Sequence, residues 1–361
     1  MLARIIREVF RGVAARAPRA EDPAALVEQG NAHAEAGDHA AAVDCFERAI
    51  ARDPSSAVAH NNLSLSLFAL GRLRDAWRES EWRFQMQDST RAFAAAPPVP
   101  RWRGQPLAGG RLIVLWEQGL GDVIQHLRFL PAAAQRAGET VFLCSAALAP
   151  LVRASFPAIE VIEARKGQAP EWRRFDAHVP LLSLPHVLGV AEDALPVAPY
   201  LKVPGAGPRA AEAGIVRVGI VWRTSGDDPR RDCPLPEMLA MAGGSVRLVC
   251  LQFQPKPDEK VLLDAAGIEQ RAGDFVATAR EALDLDAVVS VDTSTVHLCA
   301  ALGRPTLVLL NEPYFVRWQA SGRTSRWYPS VTLLRKRGAE PWRQPVGEAA
   351  TLLRAMTAGQ A

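Results

Sequence analysis

The chain has 361 residues, 48% of them hydrophobic and 22% charged, which is ordinary composition for a folded chain long enough for two or three domains. Its formal charge is +3, and Arg4, Arg7, Arg11, Arg16 and Arg19 against Glu8 account for all of the basic excess, so the body carries none and a nucleic-acid binder is excluded. No run reaches the roughly 18 uncharged apolar residues that span a bilayer, and the five cysteines, odd in number and widely spaced, form neither a disulfide framework nor a metal knuckle.

Residues 1–20 place Leu2, Ile5, Ile6, Val9, Phe10 and Val13 at helical spacing with arginines on the other face. Two readings stand side by side: a helix lying on an anionic membrane through residues 1–17, or one packed on the next domain. The apolar core of a secretory signal is absent. The expected location is the cytoplasm, with peripheral contact on the inner membrane face under the first reading.

From 21 to 92 the chain repeats itself at a period of about 34 residues: Gly37 recurs as Gly71, and Ala42 as Ala76. Leu26, Gly30, Ala42, Phe46, Ala49 and Pro54 fall where a helix-turn-helix repeat sets small residues at helix crossings, Phe in the groove and Pro at the end of the unit. In the second copy Ser64 replaces the glycine and Arg83 the late alanine. These positions resemble two tetratricopeptide repeats. Since roughly three units make a stable stack, the basic helix or the following domain is expected to cap them, and the repeats read as a docking surface for a protein partner.

A proline-rich linker, 93–110, leads to short apolar strands expected at 111–116, 140–144, 159–163 and 176–180, then at 216–222, 246–251, 286–291 and 305–310, each followed by a helical pattern. That alternation predicts an α/β architecture of two Rossmann-like parallel-sheet halves, 111–204 and 215–345, with a cleft between them, an all-α repeat domain in front and a helix at 346–361.

The first strand breaks into Glu117, Gln118, Gly119, Leu120, Gly121 and Asp122. Two glycines let the chain turn off a buried strand and approach a ligand, at the end of the sheet where α/β proteins bind. Asp122 occupies the positive end of the following helix and repels a second anion, so the loop reads as a platform for an acid and not as a phosphate cradle. The same acid, with Ile124 where a third glycine is needed, argues against a nicotinamide-binding loop. In the second half a buried strand ends at Asp292, and Thr293, Ser294 and Thr295 start a helix whose amides and hydroxyls suit a phosphate. His297 lies one turn on, near the same mouth; the alternative is an ordinary helix cap and a core histidine. After Trp222 come Arg223, Thr224, Ser225, Gly226, Asp227, Asp228, Pro229, Arg230 and Arg231, either a bidentate grip on a diphosphate or a solvated loop. Arg317, Trp318, Trp327, Tyr328 and Pro329 form an aromatic-basic group that would stack on a base or sugar, or simply pack.

The motifs W-x-G (Trp102 to Gly104), E-Q-G-L-G-D (Glu117 to Asp122), L-R (Leu127, Arg128), F-D-x-H-x-P-L-L-S-L-P (Phe175 to Pro185), L-Q (Leu251, Gln252), D-F-x-x-T-A (Asp274 to Ala279), V-D-T-x-x-x-H-L (Val291 to Leu298), R-W (Arg317, Trp318) and W-Y-P-S (Trp327 to Ser330) occur in this order. Together with the repeats they resemble bacterial tetratricopeptide-repeat glycosyltransferases related to the heptosyltransferase-like family 9, of GT-B fold. The resemblance covers roughly residues 24 to 345. It implies sugar transfer from a nucleotide-diphosphate sugar to a hydroxyl acceptor (glycan, glycolipid or protein) by displacement without metal or cofactor. Asp122 would be the acceptor-activating base, with Glu117, Gln118, Gly119 and Gly121 shaping its loop. Arg223, Thr224, Ser225, Arg230, Arg231, Gln252, Asp292, Thr293, Ser294, His297 and Arg317 would hold the donor. The chain departs from the family pattern in three places: W-R-T-S-G-D-D-P-R-R-D-C after the first strand of the second half, L-N-E-P-Y-F-V-R-W after its last expected strand, and L-R-K (Leu334 to Lys336) in place of F-R-Q. Altered donor choice and a transferase-like scaffold without turnover both fit these departures.

Overall fold

A computed structural model describes residues 22–86, 97–165, 168–205, 212, 214–226, 228–311 and 316–358. The expected basic helix at 1–20 with its membrane contact, the start of the proline-rich linker, residues 166, 167, 206–211 and 213, Asp227, residues 312–315 and the chain's last three residues lie outside these. The rest forms two compact units, one made of the helical repeats with residues 183–195 and 316–322, the other of everything else.

In the first unit α1 (Pro23–Glu35), α2 (His39–Arg52), α3 (Ala57–Leu70) and α4 (Leu73–Ser80) form two helix pairs. Asp22, Asp38 and Ser56 cap the first three helices by accepting from backbone amides. Gly37 and Gly71, one repeat apart, both turn with left-handed backbone, φ 80° and 75°. A Cβ on Gly30 would stand 2.5 Å from the Phe46 ring, which is why the crossing of α1 and α2 takes glycine. Leu26, Ala42, Phe46 and Ala49 are buried there as the repeat pattern requires. The second copy diverges where its sequence does. Ser64 donates to the Asn61 carbonyl (2.6 Å), and α4 gives way at Glu81 to a tighter turn in which Arg83 bonds the Ser80 carbonyl, Glu81 and the Ser183 hydroxyl. An arginine is too long for the crossing that an alanine fills, so the helix stops short. Later segments complete the unit: the short helix Leu184–Val187 packs on α4 and the turn Val316–Trp318 on α3, with Ala320 N donating to the Ala69 carbonyl (3.2 Å) and Arg74 N to Glu192 Oε1 (3.0 Å).

The second unit contains two fully parallel sheets, the architecture the resemblance implies. The first has β1 (Arg111–Leu115), β2 (Glu139–Ser145), β3 (Glu160–Ala164) and β4 (Ala177–Pro180) in the order β3-β2-β1-β4. Helices α5 (Leu120–His126), α6 (Leu130–Ala137) and α7 (Ala149–Ser155) fill its connections. The second sheet has β5 (Val216–Val221), β6 (Val246–Cys250), β7 (Ala287–Val291), β8 (Thr306–Asn311) and β9 (Val331–Lys336) in the order β6-β5-β7-β8-β9. It is accompanied by α8 (Leu235–Leu239), α9 (Pro257–Ala265), α10 (Phe275–Leu283), α11 (Ser294–Ala301) and α12 (Arg343–Ala358). All eight expected strands form, and β9 is an addition. Its charged end, Arg335 and Lys336, disguises an edge strand paired with β8 along its whole length. β1 after Arg111, and β7 apart from the buried Ser290, are apolar because both faces of a parallel sheet are covered.

The strand orders place two switch points, one at the carboxyl end of β1 and one between β5 and β7, where the connections leave in opposite directions and open α/β sheets bind ligands. Several of the motifs quoted above make contacts that hold the scaffold. Buried Trp102 donates its amide to the His178 carbonyl (2.8 Å) and its indole to the Gln105 carbonyl (2.6 Å), while His178 Nδ1 meets the Val99 carbonyl (2.9 Å). From Pro97 onward the proline-rich stretch is therefore tied to β4 and does not act as a free spacer. Asp176 holds the Arg111 amide, and Asp274 caps α10. All five cysteines are buried free thiols.

Candidate functional site

The loop after β1 turns through Gln118, whose φ of 62° is left-handed, a conformation that is uncommon for a residue with a side chain. This corrects the expectation that the glycines make the turn: Gly119 is extended, φ −79° and ψ 158°. Gly121 is needed for space, since a Cβ there would stand 3.0 Å from His297 Cδ2 and 3.4 Å from Ser294 Cα. α5 and α11 thus pack start against start, and the two loops picked out from sequence meet. Half-buried Asp122 lies in the first turn of α5, with Oδ2 accepting the Gly119 amide (3.2 Å). Glu117 is 7% exposed and accepts the Leu182 amide (3.0 Å), so it ties the β1 loop to the segment after β4.

Thr293 is the N-cap residue of α11, but its side chain makes no cap bond; it lies 3.2 Å from the Ser290 hydroxyl, leaving the half-exposed turn at Ser294 and Thr295 to present backbone amides. His297 corrects the expectation of a side chain at the mouth. It is 2% exposed, with Nδ1 3.0 Å from the Tyr328 hydroxyl and the ring against Gly121, because its face of α11 is the one that packs on α5. Arg231 Nη2 donates both to the Asp292 main-chain oxygen (2.8 Å) and to its Oδ2 (2.9 Å), joining two segments that the sequence keeps 61 residues apart.

Most of the rest of the expected donor set is already engaged. Arg230 pairs with Asp228 (2.7 Å), and the Thr224 amide and hydroxyl both donate to Asp232 Oδ1 (2.8 and 3.1 Å). Ser225 is exposed. Gln252 Oε1 accepts the amides of Trp222 (3.2 Å) and Arg223 (3.0 Å), fixing the end of β5 to that of β6. Arg317 belongs to the repeat unit, whereas Trp327 and Tyr328 belong to the two-sheet unit. Trp318, Trp327 and Tyr328 are buried, so these residues pack and do not make one exposed aromatic-basic patch.

Sequence reading missed Glu259 and the surroundings of Arg128. Glu259, in the first turn of α9, accepts from the Arg223 guanidinium (3.1 Å), the Trp222 indole (2.9 Å) and the Lys256 amide (2.6 Å). Burial pushes its carboxyl up, but the bonds from Arg223, Trp222 and Lys256 outweigh it and hold the group below the ordinary range. Its position three residues after a loop residue and just after a proline was the available sign, a capping-box spacing. Because the folded value is depressed, its stabilisation is complete above the ordinary carboxylate range and is lost as pH falls through the folded value. Glu259→Gln is expected to cost roughly 1–3 kcal/mol at neutral pH. In paired urea titrations the gap between variant and wild type should narrow below the ordinary carboxylate range; a gap independent of pH would refute this account.

Residues 23–56 match the tetratricopeptide repeat model. That stretch is a tetratricopeptide repeat. Protein FlbA of Caulobacter vibrioides is 30% identical to the chain over 332 residues, which cover 80% of this chain and 53% of FlbA, so the chain spans about half the length of that relative. Among solved structures, the chain is similar to the glycosyl transferase family 9 from Veillonella parvula, with a TM-score of 0.48 and 12% identity over 70% of this chain and 99% of that one. It is also similar to the E. coli ADP-heptose lps heptosyltransferase II, with a TM-score of 0.48 and 14% identity over 69% of this chain and 99% of that one. The matched repeat lies in the helical unit, which has a core of its own.

Proposed function

We propose that the chain is a glycosyltransferase that moves a hexosyl or heptosyl group from a nucleotide-diphosphate sugar to the hydroxyl of a glycan, glycolipid or protein. The observation that carries this reading is the close approach of Gly121 to Ser294 and His297, which sets the Asp122 turn beside the start of α11. The acceptor hydroxyl attacks the anomeric carbon as the bond to the diphosphate breaks, and Asp122 takes the hydroxyl proton. The departing diphosphate, carrying the electron pair of the broken bond, is met by the amides at Ser294 and Thr295 and by Arg231, without a metal ion. Holding both substrates across one short gap supplies the rest. The tetratricopeptide repeats would bring a protein partner or acceptor to this unit. The protein would act in the cytoplasm; no helix of the described residues is long and apolar enough to cross a membrane.

A second reading, a transferase-like scaffold without turnover, draws on one observation: Arg223, Arg230 and Arg231 each already face a carboxylate, those of Glu259, Asp228 and Asp292. Thermal unfolding with the diphosphates of adenosine, uridine, guanosine, cytidine and thymidine decides between them. A ligand at a hundred times its Kd stabilises the native state by about 2.7 kcal/mol. The transferase reading expects one diphosphate, or its sugar conjugate, to raise Tm; no shift with any of them supports the scaffold.

A further inference from the structure

Residues from the three stretches in which the chain leaves the family pattern, Arg230 and Arg231 in the turn after β5, Asn311 at the end of β8 and Lys336 at the end of β9, form one hydrogen-bonded series. Asn311 and Lys336 are the last register partners of the parallel β8–β9 ladder, so their side chains stand together at the carboxyl edge of the sheet. Lys336, only 8% exposed, donates through Nζ to Asn311 Oδ1 (3.2 Å) and to the Gly338 carbonyl (2.5 Å), and lies 5.7 Å from the centroid of the Trp342 ring. Asn311 Nδ2 donates to the main-chain oxygen of Arg230 (2.6 Å). Arg231, the next residue, grips the carbonyl and carboxylate of Asp292. The series therefore runs from the edge strand β9 over β8 to the turn after β5, and down onto the end of β7 next to the first amides of α11.

The chemistry gives each member a direction. An ammonium has three donors and no acceptor. Asn311 must therefore turn its oxygen to Lys336, which leaves its NH2 for the Arg230 carbonyl. A glutamine, as in the F-R-Q of relatives, both donates and accepts and would impose no such orientation. Burying an ammonium on an amide, a carbonyl and an aromatic face is costly, and fixing the turn is what this arrangement achieves.

We propose that Lys336 and Asn311 are positioning residues for the donor: they hold the 229–231 turn over the end of β7 so that Arg231 meets the diphosphate. The proposal rests on the transferase reading and specifies how its donor pocket is built. Neither residue touches the donor; both act through the Arg230 carbonyl.

The test uses the nucleoside diphosphate that stabilises the wild type in the thermal screen, together with its monophosphate, in binding titrations on the full chain. Lys336→Met and Asn311→Ala are expected to weaken the diphosphate about tenfold, the equivalent of one lost hydrogen bond, and the monophosphate less than twofold. Lys336→Arg, still a pure donor, should keep diphosphate affinity within threefold. Asn311→Asp keeps the lysine contact but cannot donate to Arg230, so it should lose as much as alanine; this pair of milder variants carries the test if Lys336→Met does not fold. Equal losses for mono- and diphosphate would mean a merely structural role and overturn the proposal, as would unchanged diphosphate affinity in both Lys336→Met and Asn311→Ala. If the wild type takes up no nucleotide, the transferase reading fails first and this inference falls with it.

Discussion

Asp122→Asn is expected to lower the rate of sugar transfer by roughly 10²–10⁴-fold while leaving nucleotide binding intact. Asparagine is the informative replacement because the proposal gives Asp122 two separable jobs. Its Oδ2 accepts the Gly119 amide at the start of α5 (3.2 Å), and an amide oxygen does that nearly as well. It cannot, however, take the proton of an attacking hydroxyl. Asp122→Ala removes both and adds about 0.5–2 kcal/mol of lost capping, so a fall in activity there mixes chemistry with folding. Single-turnover transfer of label from the donor matching the nucleotide found by thermal screening, with both variants at matched Tm, separates the two. If asparagine transfers at the wild-type rate, Asp122 is a cap and the proton goes elsewhere.

The sequence shows the kind of each charge around these turns but not what it faces. Val, Ile and Leu runs reveal eight of nine strands because both faces of a parallel sheet are buried, whereas β9 ends in Arg335 and Lys336 and pairs along one edge only. The first repeat copy is legible because Gly30 and Phe46 make a steric pair; the second loses that pair and tightens at Arg83. At the site, Asp122 and the start of α11 were both visible as strand-to-helix turns. Arg231 with Asp292, Arg223 with Glu259 and Lys336 with Asn311 are 61, 36 and 25 residues apart and become neighbours only once the second sheet is ordered. Gly121 illustrates the same limit. A glycine in a loop suggests a turn, but its purpose here is room for His297, and that neighbour arrives from 176 residues downstream.

Arg128→Met is expected to destabilise the chain by roughly 3 kcal/mol or more, the largest stability effect among these substitutions. Arg128 is 4% exposed. Its Nε donates to the Gln125 carbonyl (2.8 Å), its Nη1 to the carbonyls of Pro196 and Trp327 (both 2.7 Å), and its Nη2 to the Tyr200 hydroxyl (3.3 Å). The rings of Tyr200, Trp327 and Tyr328 stand 4.8, 5.4 and 4.6 Å from the guanidinium carbon. Burial alone would lower its pKa, but the neighbouring Tyr200 and Tyr328 carry it above the ordinary arginine value, so the group stays charged. Methionine fills much of the volume yet leaves buried acceptors without a donor, at about 1–3 kcal/mol each. Against a typical stability of roughly 5–15 kcal/mol that is a large share. Arg128→Lys keeps the charge but not the planar fork, so it cannot reach carbonyls on three segments at once and should also destabilise, by less. The consequence reaches the site through Tyr328, whose hydroxyl is bonded to His297 Nδ1, and His297 in turn backs Gly121 in the Asp122 loop. Urea unfolding of wild type and both variants measures the cost; a loss below about 1 kcal/mol would mean that the acceptors are satisfied without Arg128. In Arg128→Lys, which is expected to remain folded, the proposed transfer should fall further than the stability loss explains, because the guanidinium fixes Tyr328 and, through it, the His297 ring that packs against the Asp122 loop.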